Sequence, residues 1–254
     1  MMCRVHAGSL LALCLLLGQD AYAQTLKVLT TGAFKQVVVA LAPVFEAKTG
    51  HQLDIHNDTA GALSKRIAAG ETFDVLVLTP GGLKTLGERG VVDPSSIKPL
   101  AKVAMGVAVK AGATKPAVST VEEFKQALIQ ARRVAYIDPK SGGSSGIYLD
   151  QWFEKEGLAH MIRPKAVLVP GGLVAERLVN DEADLAIHQI SEILPVRGVS
   201  LVAPLPEAIQ NYTVYAVAVS GQTSHAEVAK SFVALLGHQD AANVMRAKGM
   251  WPLP

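Results

Sequence analysis

Ser144 and Ser145 sit in a run of small residues, Ser141 to Gly146, with Lys140 at its edge. An apolar run, Val134 to Ile137, precedes it and ends at Asp138-Pro139; apolar residues at helical spacing follow from Ile147. This reads as strand, small-residue loop, helix. The first N–H groups of a helix lack internal partners, and the dipole is positive at that end. Small residues let a ligand approach the backbone closely, and the serine hydroxyls can cap the helix or donate to the ligand. The chemistry suits an anion: phosphate, sulfate, another tetrahedral oxide or a carboxylate. Taken alone, the loop is an ordinary capped helix start. Its recurrence gives it weight, because apolar runs also end at Thr31-Gly32-Ala33, at Asp58-Thr59, at Thr79, at Gly172-Leu173 and at His188-Gln189.

His188 adds acid–base chemistry, since a histidine titrates near working pH. A base of that kind could take a proton beside a carboxylate and return it one carbon away, moving a double bond. His56 and Asp58 are other candidates, and Lys140 or the helix ends could stabilise the developing charge. A lone histidine at a strand end is more often structural, and His188 could equally donate to a bound ligand. A third chemistry, serine hydrolysis, is suggested by Gly142 to Gly146, which fit G-x-S-x-G with Asp184 and His188 following in order. Two serines in a glycine loop produce that pattern easily, and no oxyanion-hole motif precedes it. No His/Asp/Glu cluster has metal-site spacing, no cofactor motif is present, and no GK[ST] follows a glycine run.

The elements that must position these groups alternate. Leu26 to Thr30 is a strand and Phe34 to Lys48 a helix ended by Gly50; Gln52 to Ile55 is a strand and Ala62 to Ala69 a helix; Phe73 to Leu78 is a strand before a helix from Leu83. Successive βα units imply parallel or mixed sheets flanked by helices, with ligands at the carboxyl ends of strands. Further on, Ala166 to Val169 and Leu185 to Ile187 read as strands, and Leu173 to Val179 as a helix. Val77 to Leu83 (VLTPGGL) resembles Val167 to Leu173 (VLVPGGL), which fits two similar α/β lobes. The apolar runs at 103–109 and 212–219 are then candidate crossings between them. Lobe 1 is expected to comprise 24–102 and 217–254, and lobe 2 103–216.

Residues 1–23 read as a targeting segment, with Arg4, an apolar run from Leu10 to Leu17 too short to span a bilayer, and a small-x-small site at Ala21 to Ala23. Both cysteines, Cys3 and Cys14, lie in it, so the remaining 231 residues have no thiol chemistry. That remainder carries 23 basic and 21 acidic residues. A surface so close to neutral argues against nucleic-acid or membrane-surface partners. A monomer is expected.

The sequence resembles the bacterial periplasmic solute-binding proteins of the type II fold, nearest their molybdate-binding branch. The resemblance is carried by Leu29 to Ala33, Leu63 to Gly70 with Phe73 to Val75, Asp138-Pro139 with Ser145 to Tyr148, and Asp184 to Ile187. It implies a two-lobe α/β protein, exported to the periplasm, that holds an anion by hydroxyls and main-chain N–H groups and serves an ABC importer. Carried over by position, the first-loop serine of those relatives falls near Gly32 or Ala33 and the second near Thr59; the backbone donors fall at Ser144, Ser145, Gly172 and Leu173. The tyrosine hydroxyl falls at His188. Two hydroxyl positions have therefore changed. Ala186 to Glu192, Met105 to Gly112 and Phe124 to Gln126 are also similar to a branch that contains a periplasmic aconitate isomerase. The expectation is capture of a tetrahedral oxyanion or tricarboxylate; the alternative is isomerisation of aconitate in the same cleft, with His188 catalytic.

Overall fold

The computed structural model describes residues 23–254; all but the last residue of the expected targeting segment lies outside the described residues. Two mixed sheets organise them. The first is built from β1 (Thr25–Thr31), β2 (Gln52–Asp58), β3 (Val75–Leu78), β4 (Lys98–Val103), β10 (Thr213–Val219) and β11 (Met250–Pro252). Its strand order is β11-β4-β10-β3-β1-β2. The second holds β5 (Met105–Lys110), β6 (Val134–Ile137), β7 (Ala166–Val169), β8 (Leu185–Gln189) and β9 (Val199–Pro204), in the order β7-β6-β8-β5-β9. β1 pairs in parallel with β2 and β3, as β6 does with β7 and β8, while β10 and β5 run antiparallel to their neighbours.

Helices cover both sheets. They are α1 (Gly32–Thr49), α2 (Ala60–Ala68), α3 (Pro80–Glu88), α4 (Val121–Gln130), α5 (Ser144–Lys155), α6 (Ala159–Ile162), α7 (Glu176–Val179), α8 (Ile190–Ile193), α9 (Ala226–Leu236) and α10 (Gln239–Ala247). β3 and β6 are buried along their whole length, as continuous apolar strands covered on both faces must be. Phe34, Val37, Val38, Leu41 and Phe45 recur along α1 at helical spacing and pack on the first sheet, with Phe232 of α9 edge-on to Phe45. α1 stops where Gly50 takes a left-handed conformation.

Of the two runs expected to cross between lobes, that at 103–109 does, since Val103 ends β4 in the first sheet and Met105 opens β5 in the second. The run at 212–219 does not: Thr213–Val219 lies wholly in the first sheet, so Val103 and residues 213–216 sit with the first sheet. An apolar run long enough to pass between sheets is also long enough to be one strand within either. The passage is made by Ala104 alone on the way out and by residues 205–212 on the return. Gln210 ties the two together: its amide oxygen accepts from Met105 N at 2.8 Å and its Nε2 donates to Met105 O at 3.0 Å and Leu205 O at 3.1 Å.

The two Pro-Gly-Gly segments also diverge. Thr79 accepts a hydrogen bond from Gly82 N, and α3 starts at once at Pro80. Val169 has no capping oxygen. Residues 170–172 bend the chain there, Gly172 takes a φ of 85°, and the helix expected from Leu173 is confined to α7.

The turn from β6 into α5 depends on Gly146, where a Cβ would stand 2.1 Å from Ile137 O. Gly146→Ala therefore forces helix and strand apart. It should lower unfolding stability in urea by about 1–3 kcal/mol or more; an unchanged midpoint would contradict this packing.

Candidate functional site

Strand ends and helix starts of both lobes meet in one cleft. It is lined from the first lobe by Thr31, Gly32, Ala33, Asn57, Asp58, Thr59, Ala60 and Tyr215. The second lobe supplies Ile137, Gly143, Ser144, Ser145, Gly172, His188, Gln189 and Glu192. Its volume is about 390 Å3 with the mouth included.

The lobes touch across it. Thr59 Oγ1 donates to Ser141 O at 2.6 Å, and Gly61 N donates to Gly142 O at 3.0 Å. That second contact needs both glycines, since a Cβ on either would stand 2.6 Å from the other's Cα. Gln189 Nε2 lies 2.8 Å from Tyr215 OH, 3.1 Å from Thr213 Oγ1 and 3.2 Å from Ser144 Oγ. This amide thus gathers hydroxyls from β10 of the first sheet and from the start of α5.

Three helix starts face the cleft, those of α1, α2 and α5. Thr59 caps α2 by accepting from Ala62 N. The heads of α1 and α5 carry no side-chain cap and no acidic residue in the first turn. Their first N–H groups and positive dipole ends suit an anion. Among the described residues, no lysine or arginine lines the cleft. The nearest cation in the bonding network, Arg66, is engaged with Glu71 and reaches Asp58 Oδ2 at 3.3 Å.

The floor carries a titratable pair. β8 runs directly into α8, whose four residues are all buried, so His188 and Glu192 stand four apart across the corner. Their Nε2 and Oε2 are 3.3 Å apart, with side chains 2% and 7% exposed. Gly106, opposite His188 in the pairing of β5 with β8, makes the corner possible; a Cβ there would stand 2.9 Å from Ile190 Cγ1. Burial disfavours both charged forms, pushing His188 down to about 3 and Glu192 up to about 8. The pair is neutral at neutral pH, one imidazole beside one protonated carboxyl. Burial also raises the Tyr215 phenol, helped by the nearby Glu192. His188 Nδ1 and Thr31 Oγ1 are buried without a protein partner, an arrangement that costs stability unless a ligand supplies one.

Of the residues singled out in the sequence, Thr31, Gly32, Ala33, Asp58, Thr59, Ser144, Ser145, Gly172, His188 and Gln189 line this cleft. Thr79 does not, being occupied with the cap of α3, and neither does Leu173. His56 pairs with Asp54 on the exposed side of β2, and Lys140 does not reach the cleft. The hydrolase arrangement is not assembled. Asp184 is bound by Arg132 and the N–H groups of Arg132 and Arg133, and the carboxylate beside His188 is that of Glu192. Sequence reasoning missed Glu192 and Tyr215. Glu192 left a signal: an acid four residues after His188, flanked by apolar Ile190, Ile193 and Leu194. Tyr215, one aromatic in an apolar strand, left none.

A family model described as bacterial extracellular solute-binding protein matches residues 26–251. An aconitate isomerase from Pseudomonas sp is 33% identical over 236 residues, covering 91% of this chain and 88% of that protein. Among solved structures, the periplasmic molybdate-binding protein of Azotobacter vinelandii superposes with a TM-score of 0.76 at 21% identity, over 90% of this chain and 99% of the other. The sulfate-binding protein SubI of Mycobacterium tuberculosis superposes at 0.70 and 15% identity, over 91% and 87%. At such identities these two establish the two-lobe fold.

The pair at the floor gives stability a pH signature. An unfolded glutamate loses its proton near 4.5, whereas folded Glu192 keeps it to about 8, so stability falls as pH rises between those values. An unfolded histidine gains its proton near 6.5, whereas folded His188 resists to about 3, so stability rises with pH in that window. From 4.5 to 6.5 the slopes oppose; from 6.5 to 8 only that of Glu192 remains. The melting temperature should therefore decline from pH 6.5 towards 8, and Glu192→Gln should remove most of the decline. An equal slope in both proteins would contradict the assignment.

Proposed function

The chain belongs to the bacterial extracellular solute-binding protein family, and we propose that its cleft performs catalysis: it moves a carbon–carbon double bond in a small unsaturated tricarboxylate, interconverting trans- and cis-aconitate. The observation that carries this reading is the buried His188–Glu192 pair facing the ligand space. A carrier can use the pair only as hydrogen-bond donors, whereas a proton-transfer catalyst needs a base and an acid side by side. The aconitate isomerase relative, alike over nearly the whole chain, supports the same reading.

The chemistry requires no cofactor, oxidant or reductant. His188, neutral at working pH, accepts a proton from the methylene next to a carboxylate. The C–H electron pair becomes the new double bond, and the old π pair moves onto the far carbon, shared with its carboxylate. A proton then adds to that carbon, which becomes the new methylene. One proton leaves and one returns. Glu192 holds a proton 3.3 Å from the imidazole and can supply it. The substrate carboxylates are received by the heads of α1, α2 and α5, by Ser144 and Ser145, and by the main chain at Gly172. Withdrawal from bulk water strengthens each of these contacts.

A second reading is favoured by the family and by the lobe-to-lobe contacts: capture of a small anion in the periplasm for an ABC importer, by a monomer that closes as a hinge. One experiment separates them. The purified protein is given trans-aconitate, the product is identified by chromatography, and affinity is measured by calorimetry. Turnover is expected, and His188→Ala should lower kcat by about 10²–10⁴-fold with a native circular dichroism spectrum. Tight binding without turnover, unchanged in affinity by His188→Ala, selects the carrier.

A further inference from the structure

The head of α1, the longest of the three helices that start at the cleft, is a candidate anion seat. Thr31 leaves it uncapped, no acidic residue follows in the first turn, and Thr31 Oγ1 is itself buried without a partner. A bound oxyanion would be expected there. What packs on that turn instead is a carboxyl from the other lobe. A Cβ on Gly32 would stand 2.4 Å from Glu192 Oε1 and 3.4 Å from its carboxyl carbon, so the glycine is what lets the side chain in. The second oxygen is fixed by His188 at 3.3 Å, and Glu192 as a whole is 5% exposed.

We propose that Glu192 is the specificity residue of the cleft: it fills the α1 seat from within and excludes small tetrahedral oxyanions, so that carboxylates engage the remaining helix heads. The exclusion is steric and local: the carboxyl already stands against the first turn of α1, within 2.4 Å of where a Cβ on Gly32 would be, so an oxyanion cannot reach the N–H groups there. A carboxylate-bearing ligand has no need of that seat. It can anchor at α2 and α5 and turn a C–H bond, rather than an anionic oxygen, towards Glu192 and His188. The same two side chains would then set both what enters and what happens to it. The proposal rests on the catalytic reading only for the class of ligand accepted.

The test is calorimetric titration of the full chain with sodium sulfate and with sodium molybdate. The wild type should show no saturable binding. Glu192→Ala, which empties the seat, should bind at least one of the two more tightly by about tenfold or more. Glu192→Gln, which keeps the volume, should gain little. Where circular dichroism shows that the alanine variant is unfolded, Glu192→Ser replaces it with the same expectation. Saturable wild-type binding as tight as in the alanine variant would overturn the proposal. So would a folded alanine or serine variant that gains nothing. Aconitate conversion by the wild type is measured on the same preparation. Its absence removes the isomerase reading but leaves the oxyanion result to decide the role of Glu192.

Discussion

The structure turns on one constraint: a histidine and a glutamate are buried together at the corner where β8 becomes α8. An ionised carboxylate without a matched cation is costly in such a place, by several kcal/mol even after relaxation. The pair meets the constraint by giving up charge. His188 stays neutral, Glu192 keeps its proton, and no arginine or lysine is brought in to pair with either. Neutrality makes the histidine available as a base and the carboxyl as an acid at the same pH. The proposed catalytic role rests on that neutrality.

Much of the surrounding architecture serves that corner. Gly106 leaves room for Ile190 to turn over the sheet, and Gly32 leaves room for the carboxyl against the other lobe. Gln189, next to His188, draws Tyr215, Thr213 and Ser144 into one cluster. The lobes are joined by one residue outward and a short return, held by the side chain of Gln210. The Gly61–Gly142 and Thr59–Ser141 contacts bridge the lobes across the cleft. Under the proposed function, exclusion of water from the cleft strengthens what helix heads and hydroxyls offer an anion.

The parts that followed from the sequence are those governed by local periodicity and punctuation. The strand at 26–30, the helix behind it and the Ser/Gly turn into α5 could be read because apolar spacing and small residues act within a few positions. The convergence of their loops followed from the rule that strand ends of such sheets share a crevice. What stayed hidden depended on distance. The side to which Thr213–Val219 belongs is decided by pairing with strands more than a hundred residues away. Glu192 looks like a surface acid until the fold lays α8 against α1. Leu173 was misplaced because the choice between Thr79 and Val169, one capping oxygen, decides whether a Pro-Gly-Gly turn enters a helix.

The claim that His188 is uncharged can be read from the nitrogen-15 shifts of its imidazole, followed by nuclear magnetic resonance on the labelled protein as pH is lowered from 8 to 5. The account predicts two well-separated ring nitrogens, one protonated and one bare, unchanged across that range. Two nitrogens at a common imidazolium position near pH 7 would mean an ion pair with Glu192, and the account of the site would then be wrong.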